Sequence, residues 1–166
     1  MTRVLCVDVG VTNLGLVVME YQGSNATIIA QDTVSVGKSK PFILADVVEN
    51  LSYYLSALYR DRHCNMMAVE KQNWIMRQGK VILSSCHNVV IEGAILTFCR
   101  SHRITCQRVG PKAWQNKFGV ESNEKSFSYY KANPQLYEFA LNTMLLSTTH
   151  EYDAMFVGAY FMDANK

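Results

Sequence analysis

The sequence predicts an α/β fold: a five-stranded mixed sheet, an antiparallel meander of three strands followed by parallel strands, with helices on both faces. Residues 3–36 hold β-rich segments separated by short turns, and short turns join antiparallel neighbours. From Pro41 the apolar spacing lengthens to that of a helix. Beyond it, helical and strand-like segments alternate, the pattern of β-α-β units with parallel strands.

Arg3 to Val9 (RVLCVDV) is apolar at successive positions, as a strand buried on both faces should be. Gly10 to Asn13 turn the chain, Gly15 to Tyr21 (GLVVMEY) form the second strand, and Gly23-Ser24-Asn25 lead into a third from Ala26 to Val36. Between Pro41 and Arg60 the apolar residues Val47, Val48, Leu51, Leu55 and Leu58 mark one helical face. Met66 to Val69 is a short strand ending at Glu70, and Gly79 to Arg100 reads as a helix on a stripe from Ile82 to Leu96. Ile104 to Val109 is a strand stopped by Gly110-Pro111. Asn133-Pro134 places a cap before a first-turn proline and opens a helix to about Leu146; a last helix runs from His150 to Met162.

The chain has 166 residues, which suits one domain (1–166) and leaves little room for a second. No apolar run approaches the ~18 residues of a membrane span. Met1-Thr2-Arg3-Val4 does not open a secretory signal, and the five cysteines include no C-x-x-C pair. A reducing, cytoplasmic setting is therefore expected, and a disulfide framework is disfavoured. His63-Cys64 and Cys86-His87 match no zinc spacing, and buried thiols are the simpler account. Sixteen Lys and Arg against fourteen Asp and Glu give a net charge of +2, too small by itself to announce a polyanionic partner.

Acids stand where they are costly. Asp8 ends a strand that otherwise reads as buried, and Glu70 ends Met66-Met67-Ala68-Val69. If those strands lie side by side and parallel, both carboxylates meet at one sheet edge, where open α/β sheets bind ligands. His150 and Asp153, three apart at a helix start, share a face. Four such ligands suit one or two Mg²⁺ ions, or Mn²⁺, which tolerates imidazole more readily. Two ions ~4 Å apart activate a water and stabilise the leaving oxygen of a phosphodiester. Each residue also has a plain structural reading: Asp8 as a turn cap, Glu70 paired with Lys71 or Arg77, His150 and Asp153 serving a helix start.

These residues resemble the RuvC-like Holliday junction resolvases of the RNase H-like superfamily, the match covering nearly the whole length. VLCVDVGVTNLGLVV resembles the family's opening strand, MMAVEKQNW its second acidic motif, and HEYDAMFVGAYF its last. The resemblance implies an RNase H-like fold and a metal set of Asp8, Glu70, His150 and Asp153. It further implies an endonuclease that cuts four-way DNA junctions by paired symmetric hydrolysis. Many members carry aspartate where His150 stands, which bears on metal preference more than on the reaction. HNVVIEGAILTFCR resembles the small-residue helix that helps form the family's homodimer. The resemblance also implies a lysine upstream of the last motif that can face the scissile phosphate, for which Lys112 and Lys125 are the candidates and Lys125 the one expected to act in catalysis.

Two basic groups offer phosphate contacts. Lys71, Arg77 and Lys80 follow Glu70 in the segment holding Trp74; Arg100, Arg103, Arg108, Lys112, Lys117 and Lys125 precede the last motif. Trp74 and Trp114 are candidates for stacking on unpaired bases. Tyr129, Tyr130, Tyr137 and Phe139 read as helix packing. The rival readings are an RNase H-like nuclease acting on RNA or RNA–DNA hybrids, a DNA-binding module without catalysis, and a kinase-like phosphate loop at Asp8 to Gly15. The last normally needs a second equivalent domain.

Overall fold

The computed structural model describes residues 1–10, 12–35, 44–121 and 126–165. A six-stranded sheet runs in the order β7-β4-β1-β2-β3-β8. β1 (Thr2–Asp8), β2 (Asn13–Gln22) and β3 (Asn25–Ser35) form the expected antiparallel meander. β4 (Met66–Glu70) lies parallel to β1, and β7 (Thr105–Val109) parallel to β4.

Successive side chains of a strand face opposite sides, so the apolar run of β1 feeds two cores at once. Val4 and Cys6 join Ala68 of β4 under α5 (Thr149–Ala164), with α3 (Pro111–Phe118) and α4 (Phe127–Ala132) beside it. Leu5 and Val7 join Met67 and Val69 on the other face, under α1 (Leu44–Asp61) and α2 (Leu83–Ser101). Burying both faces of a sheet demands apolar residues at every position, which is why these strands do not alternate with polar ones.

Three expectations are corrected. The sheet has a sixth strand, β8 (Ala140–Leu141), parallel to β3 through Ala26↔Ala140. It lies within the segment expected to be one helix from Pro134 to Leu146. That segment forms 3-10 turns at Pro134–Tyr137 and Thr143–Leu145 on either side of β8. Asn142 takes a left-handed φ of 61°, which no helix interior permits. The helix expected from Gly79 begins at Leu83, because Gln78 and Gly79, both at positive φ, fold a hairpin of β5 (Met76–Arg77) and β6 (Lys80–Val81). Paired positive φ values suit the tight turns whose twist matches antiparallel strands. Val36 and Pro41, the expected ends of a strand and a helix, lie outside the described residues. All five cysteines are free thiols. Among the described residues, no helix is long and apolar enough to cross a membrane.

Candidate functional site

The pairing of β1 with β4 ends at Val7↔Val69, and one acid follows on each strand: Asp8 and Glu70. The two-residue period that puts Cys6 and Ala68 under α5 carries Asp8 and Glu70 to that same face. The first turn of α5 arrives there with His150 and Asp153. Four residues from three remote segments thus line one cleft of about 510 Å³, with Gln72, Asn88 and Thr149 completing its wall.

The start of α5 is anchored by a capping box. Thr148 Oγ1 accepts from the Glu151 amide at 3.2 Å, and Glu151 Oε2 accepts from the amides of Thr148 at 3.2 Å and Ser147 at 2.6 Å. Glu151 Oε1 accepts from the Thr33 hydroxyl at 2.8 Å, tying the helix start to β3. Gly15, paired with Asp8, completes the docking: a Cβ there would lie 2.0 Å from the carbonyl oxygen of His150. Only a residue without a side chain lets the backbone of α5 approach β2 this closely.

Asp8 (5% exposed), Glu70 (6%) and Asp153 (4%) are buried, and each accepts from a protein donor. His150 Nδ1 donates to Asp8 Oδ2 at 2.7 Å. That bond, and secondarily the charges of Asp8, Asp153 and Glu70, raise the imidazole pKa above its ordinary value against the opposing effect of burial. Trp114 Nε1 donates to Glu70 Oε1 at 3.1 Å, and Gln72 Nε2 to Glu70 Oε2 at 3.0 Å. Tyr130 donates its hydroxyl to Asp153 Oδ1. Burial, then the Asp153 charge, push that phenol far above its usual range, so it stays protonated.

Behind this layer Asn88 Nδ2 donates to Gln72 Oε1 at 3.2 Å, and buried Glu92 accepts from the Gln72 amide at 3.0 Å and Arg108 Nε at 2.6 Å. Because Gln72 gives its amide N–H to Glu70, its oxygen must receive from Asn88. Asn88 Oδ1 is then left buried with no partner in the cleft wall. An orphaned acceptor costs about 1–3 kcal/mol, and a cation's water of hydration would satisfy it.

Three carboxylates and an imidazole facing one cleft fit a hard divalent cation in donor type. They are not a ready-made cage: among the described residues, no group of three or more His, Cys, Asp or Glu side chains is gathered to hold an ion. Each carboxylate already accepts from the donors named above.

The other sequence-derived candidates are scattered. Lys71, Trp74, Arg77 and Lys80 are exposed, the last three in or beside the β5–β6 hairpin. The hairpin is tied to the start of α2 by the Ile82 amide on Ile75 O at 2.8 Å and the Ile75 amide on Ser85 Oγ at 3.0 Å. Arg108 pairs with Glu92. Arg100, Arg103 and Lys112 are exposed, while Lys117 pairs with Asp163 toward the opposite end of α5 from His150. Lys125 lies outside the described residues. Trp114 is fully buried, which removes it as a base-stacking platform. Sequence reasoning missed Gln72, Asn88, Glu92 and Tyr130 as partners of the site. A buried-looking acid inside Val-Ile-Glu-Gly-Ala was the one signal available, at Glu92.

No protein-family model matches the sequence, and no curated protein matches it. Solved structures do match in fold. Thermus thermophilus RuvC in complex with a Holliday junction substrate superposes with a TM-score of 0.68 at 16% identity, covering 96% of this chain and 92% of that one. Fowlpox virus resolvase with its Holliday junction DNA gives 0.60 at 13% identity, over 97% of this chain and 99% of that one. The yeast mitochondrial Holliday junction resolvase Ydc2 gives 0.65 at 13%, over 97% and 79%. Along nearly its whole length, the chain has the RNase H-like fold of RuvC-type resolvases.

Proposed function

We propose that residues 1–166 form a single nuclease domain: a divalent-cation-dependent, structure-selective endonuclease that resolves four-way DNA junctions by paired symmetric phosphodiester hydrolysis. The observation that carries this reading is the convergence of Asp8, Glu70, His150 and Asp153, remote in sequence, on one cleft at the carboxyl ends of β1 and β4. The fold neighbours that hold junction DNA support the choice of substrate.

Buried carboxylates repel a phosphodiester, so DNA reaches this cleft only when their charge is offset. Asp8, Glu70 and Asp153 would hold one or two Mg²⁺ or Mn²⁺ ions, with His150 as the nitrogen donor. Bound there, the ions supply an activated water and stabilise the leaving oxygen. The protein's part is to fix those donors on rigid strand ends and a capped helix, and to orient the phosphate within reach. Attack by water at phosphorus with the 3′ oxygen as leaving group would give 5′-phosphate and 3′-hydroxyl nicks, and a homodimer would place one such site on each of two opposed strands. The exposed Trp74, Arg77 and Lys80, with Lys71, Arg108, Lys112 and Lys117, are the proposed DNA contacts, and Lys125 is the lysine proposed to face the scissile phosphate. The proposed setting is intracellular and DNA-associated.

The test is a labelled four-way junction incubated with the purified chain, with and without Mg²⁺, beside RNA–DNA hybrids and hairpins. Paired symmetric nicks in the junction, dependent on the cation, are expected. Asp8→Asn and Asp153→Asn should keep junction binding and lose more than about 100-fold in nicking rate, beyond the loss expected for a residue that only supports a ligand. Cleavage of hybrids in preference to junctions would reassign the substrate, and normal nicking by either variant would overturn the site.

A further inference from the structure

The site contains two buried aromatic donors whose role the reading above leaves open. Trp114, in α3, is fully buried and donates its indole N–H to Glu70 Oε1. Tyr130, in α4, is fully buried and donates its hydroxyl to Asp153 Oδ1. Both rings rest on Phe156, one helical turn beyond Asp153. Trp114 lies parallel to Phe156 at 5.5 Å between centroids, and Tyr130 is 5.6 Å away. Tyr130 is further held by stacking on Tyr152 at 4.8 Å. The three rings thus form a fixed apolar floor from which two polar heads reach two acids contributed by β4 and α5.

A planar ring wedged in a packed core has little freedom, and its donor points in one direction. A carboxylate accepting such a donor on one oxygen is fixed in its torsion, and its second oxygen takes a defined place. For Glu70 that second oxygen, Oε2, is the one bonded by Gln72, which itself lines the cleft. We propose that Trp114 and Tyr130 are positioning residues, each engaging one oxygen of Glu70 or Asp153 so that the other oxygen serves a divalent cation. This rests on the reading of Glu70 and Asp153 as cation ligands. Groups that hydrogen-bond metal-ligating carboxylates orient them, and losing such a group typically weakens binding 10–100-fold.

Phenylalanine at either position keeps the ring and its packing and deletes only the donor. The experiment measures Mn²⁺ binding to the full chain, without DNA, by titration calorimetry, for wild type, Trp114→Phe and Tyr130→Phe. Circular dichroism fixes a temperature at which each is folded. Each variant is expected to bind Mn²⁺ about 10–100-fold more weakly. Purely structural rings would lower the unfolding temperature and leave the affinity within twofold, which overturns the inference alone. Wild type that binds no Mn²⁺ overturns the cation-site reading and this inference with it. A measurement that needs no variant at position 114 follows the indole N–H resonance of Trp114 in ¹⁵N-labelled protein during Mg²⁺ titration. The chain has two tryptophans, and Trp74→Phe assigns them. A shift saturating with the calorimetric binding curve supports the proposal; an unmoved resonance overturns it.

Discussion

At the scale of single residues, the site is a set of acids each held by side-chain donors. Asp8 has an imidazole, Glu70 an indole and an amide, Asp153 a phenol. The Asp8–His150 pair makes this arrangement sensitive to pH. The folded pKa of His150 is raised above its ordinary 6.5, chiefly by the bond to Asp8. The pair therefore stabilises the cation-free protein fully below about pH 6.5, and that contribution fades as pH climbs through the raised value. A ligand imidazole must be neutral, so binding a cation below that value expels a proton. Mn²⁺ affinity should rise with pH across this window, and calorimetry in buffers of different ionisation enthalpy should record the released proton. In His150→Asn the proton release should vanish. Trp114 shows how one residue's role turns on burial. A tryptophan between basic residues reads as a base platform, and the fully buried ring with its N–H on Glu70 is a support for the acid instead.

Among the elements, the joint between α5 and the strands decides whether the site forms. The capping box at Thr148 and Glu151, with Thr33 from β3, sets where the helix begins, and Gly15 sets how closely it approaches. Gly15→Ala would put a methyl group 2.0 Å from the His150 carbonyl oxygen. The strand or the helix must shift, at a cost of about 1–3 kcal/mol by the usual scale of overpacking. Urea unfolding should show that loss, and nicking should fall further than stability does, since His150 and Asp153 move with the helix. The β5–β6 hairpin is the element proposed to carry DNA contacts. Trp74, Ile75 and Met76 are more than half exposed there, at 62%, 55% and 64%, beside Arg77 and Lys80. If this hairpin grips a junction, Trp74→Ala should cost about 1–3 kcal/mol of binding for a stacked base. Arg77→Ala with Lys80→Ala should flatten the dependence of log affinity on log salt by about one per lost phosphate contact.

Over the whole molecule, the sheet places the acids. Parallel pairing of β1 with β4 brings position 8 beside position 70, and burial of both sheet faces leaves a helix as the partner that covers them. A net charge of +2 hides a local contrast: Asp8, Glu70 and Asp153 are buried in the cleft, and Arg77 and Lys80 are exposed on the hairpin. A dimer that cuts two strands needs two such clefts facing one junction. Analytical ultracentrifugation should find two chains for each junction bound.

The sequence by itself determined the antiparallel meander, the parallel strands ending in acids, and the last helix with His150 and Asp153, because burial and period are written residue by residue. It also marked the four residues of the candidate site, since a charge closing an apolar strand stands out against its neighbours. Only the tertiary structure decided that β8 adds a sixth strand, that Gln78 and Gly79 fold a hairpin, and that Trp114 and Tyr130 hold Glu70 and Asp153. The sixth strand and the two aromatic donors depend on groups 23 to 114 positions apart meeting in space, as Tyr130 meets Asp153 across 23 positions, Trp114 meets Glu70 across 44 and Ala140 meets Ala26 across 114. Local propensity carries no record of such meetings: an indole N–H finds its acceptor only after the strands and helices around it have packed.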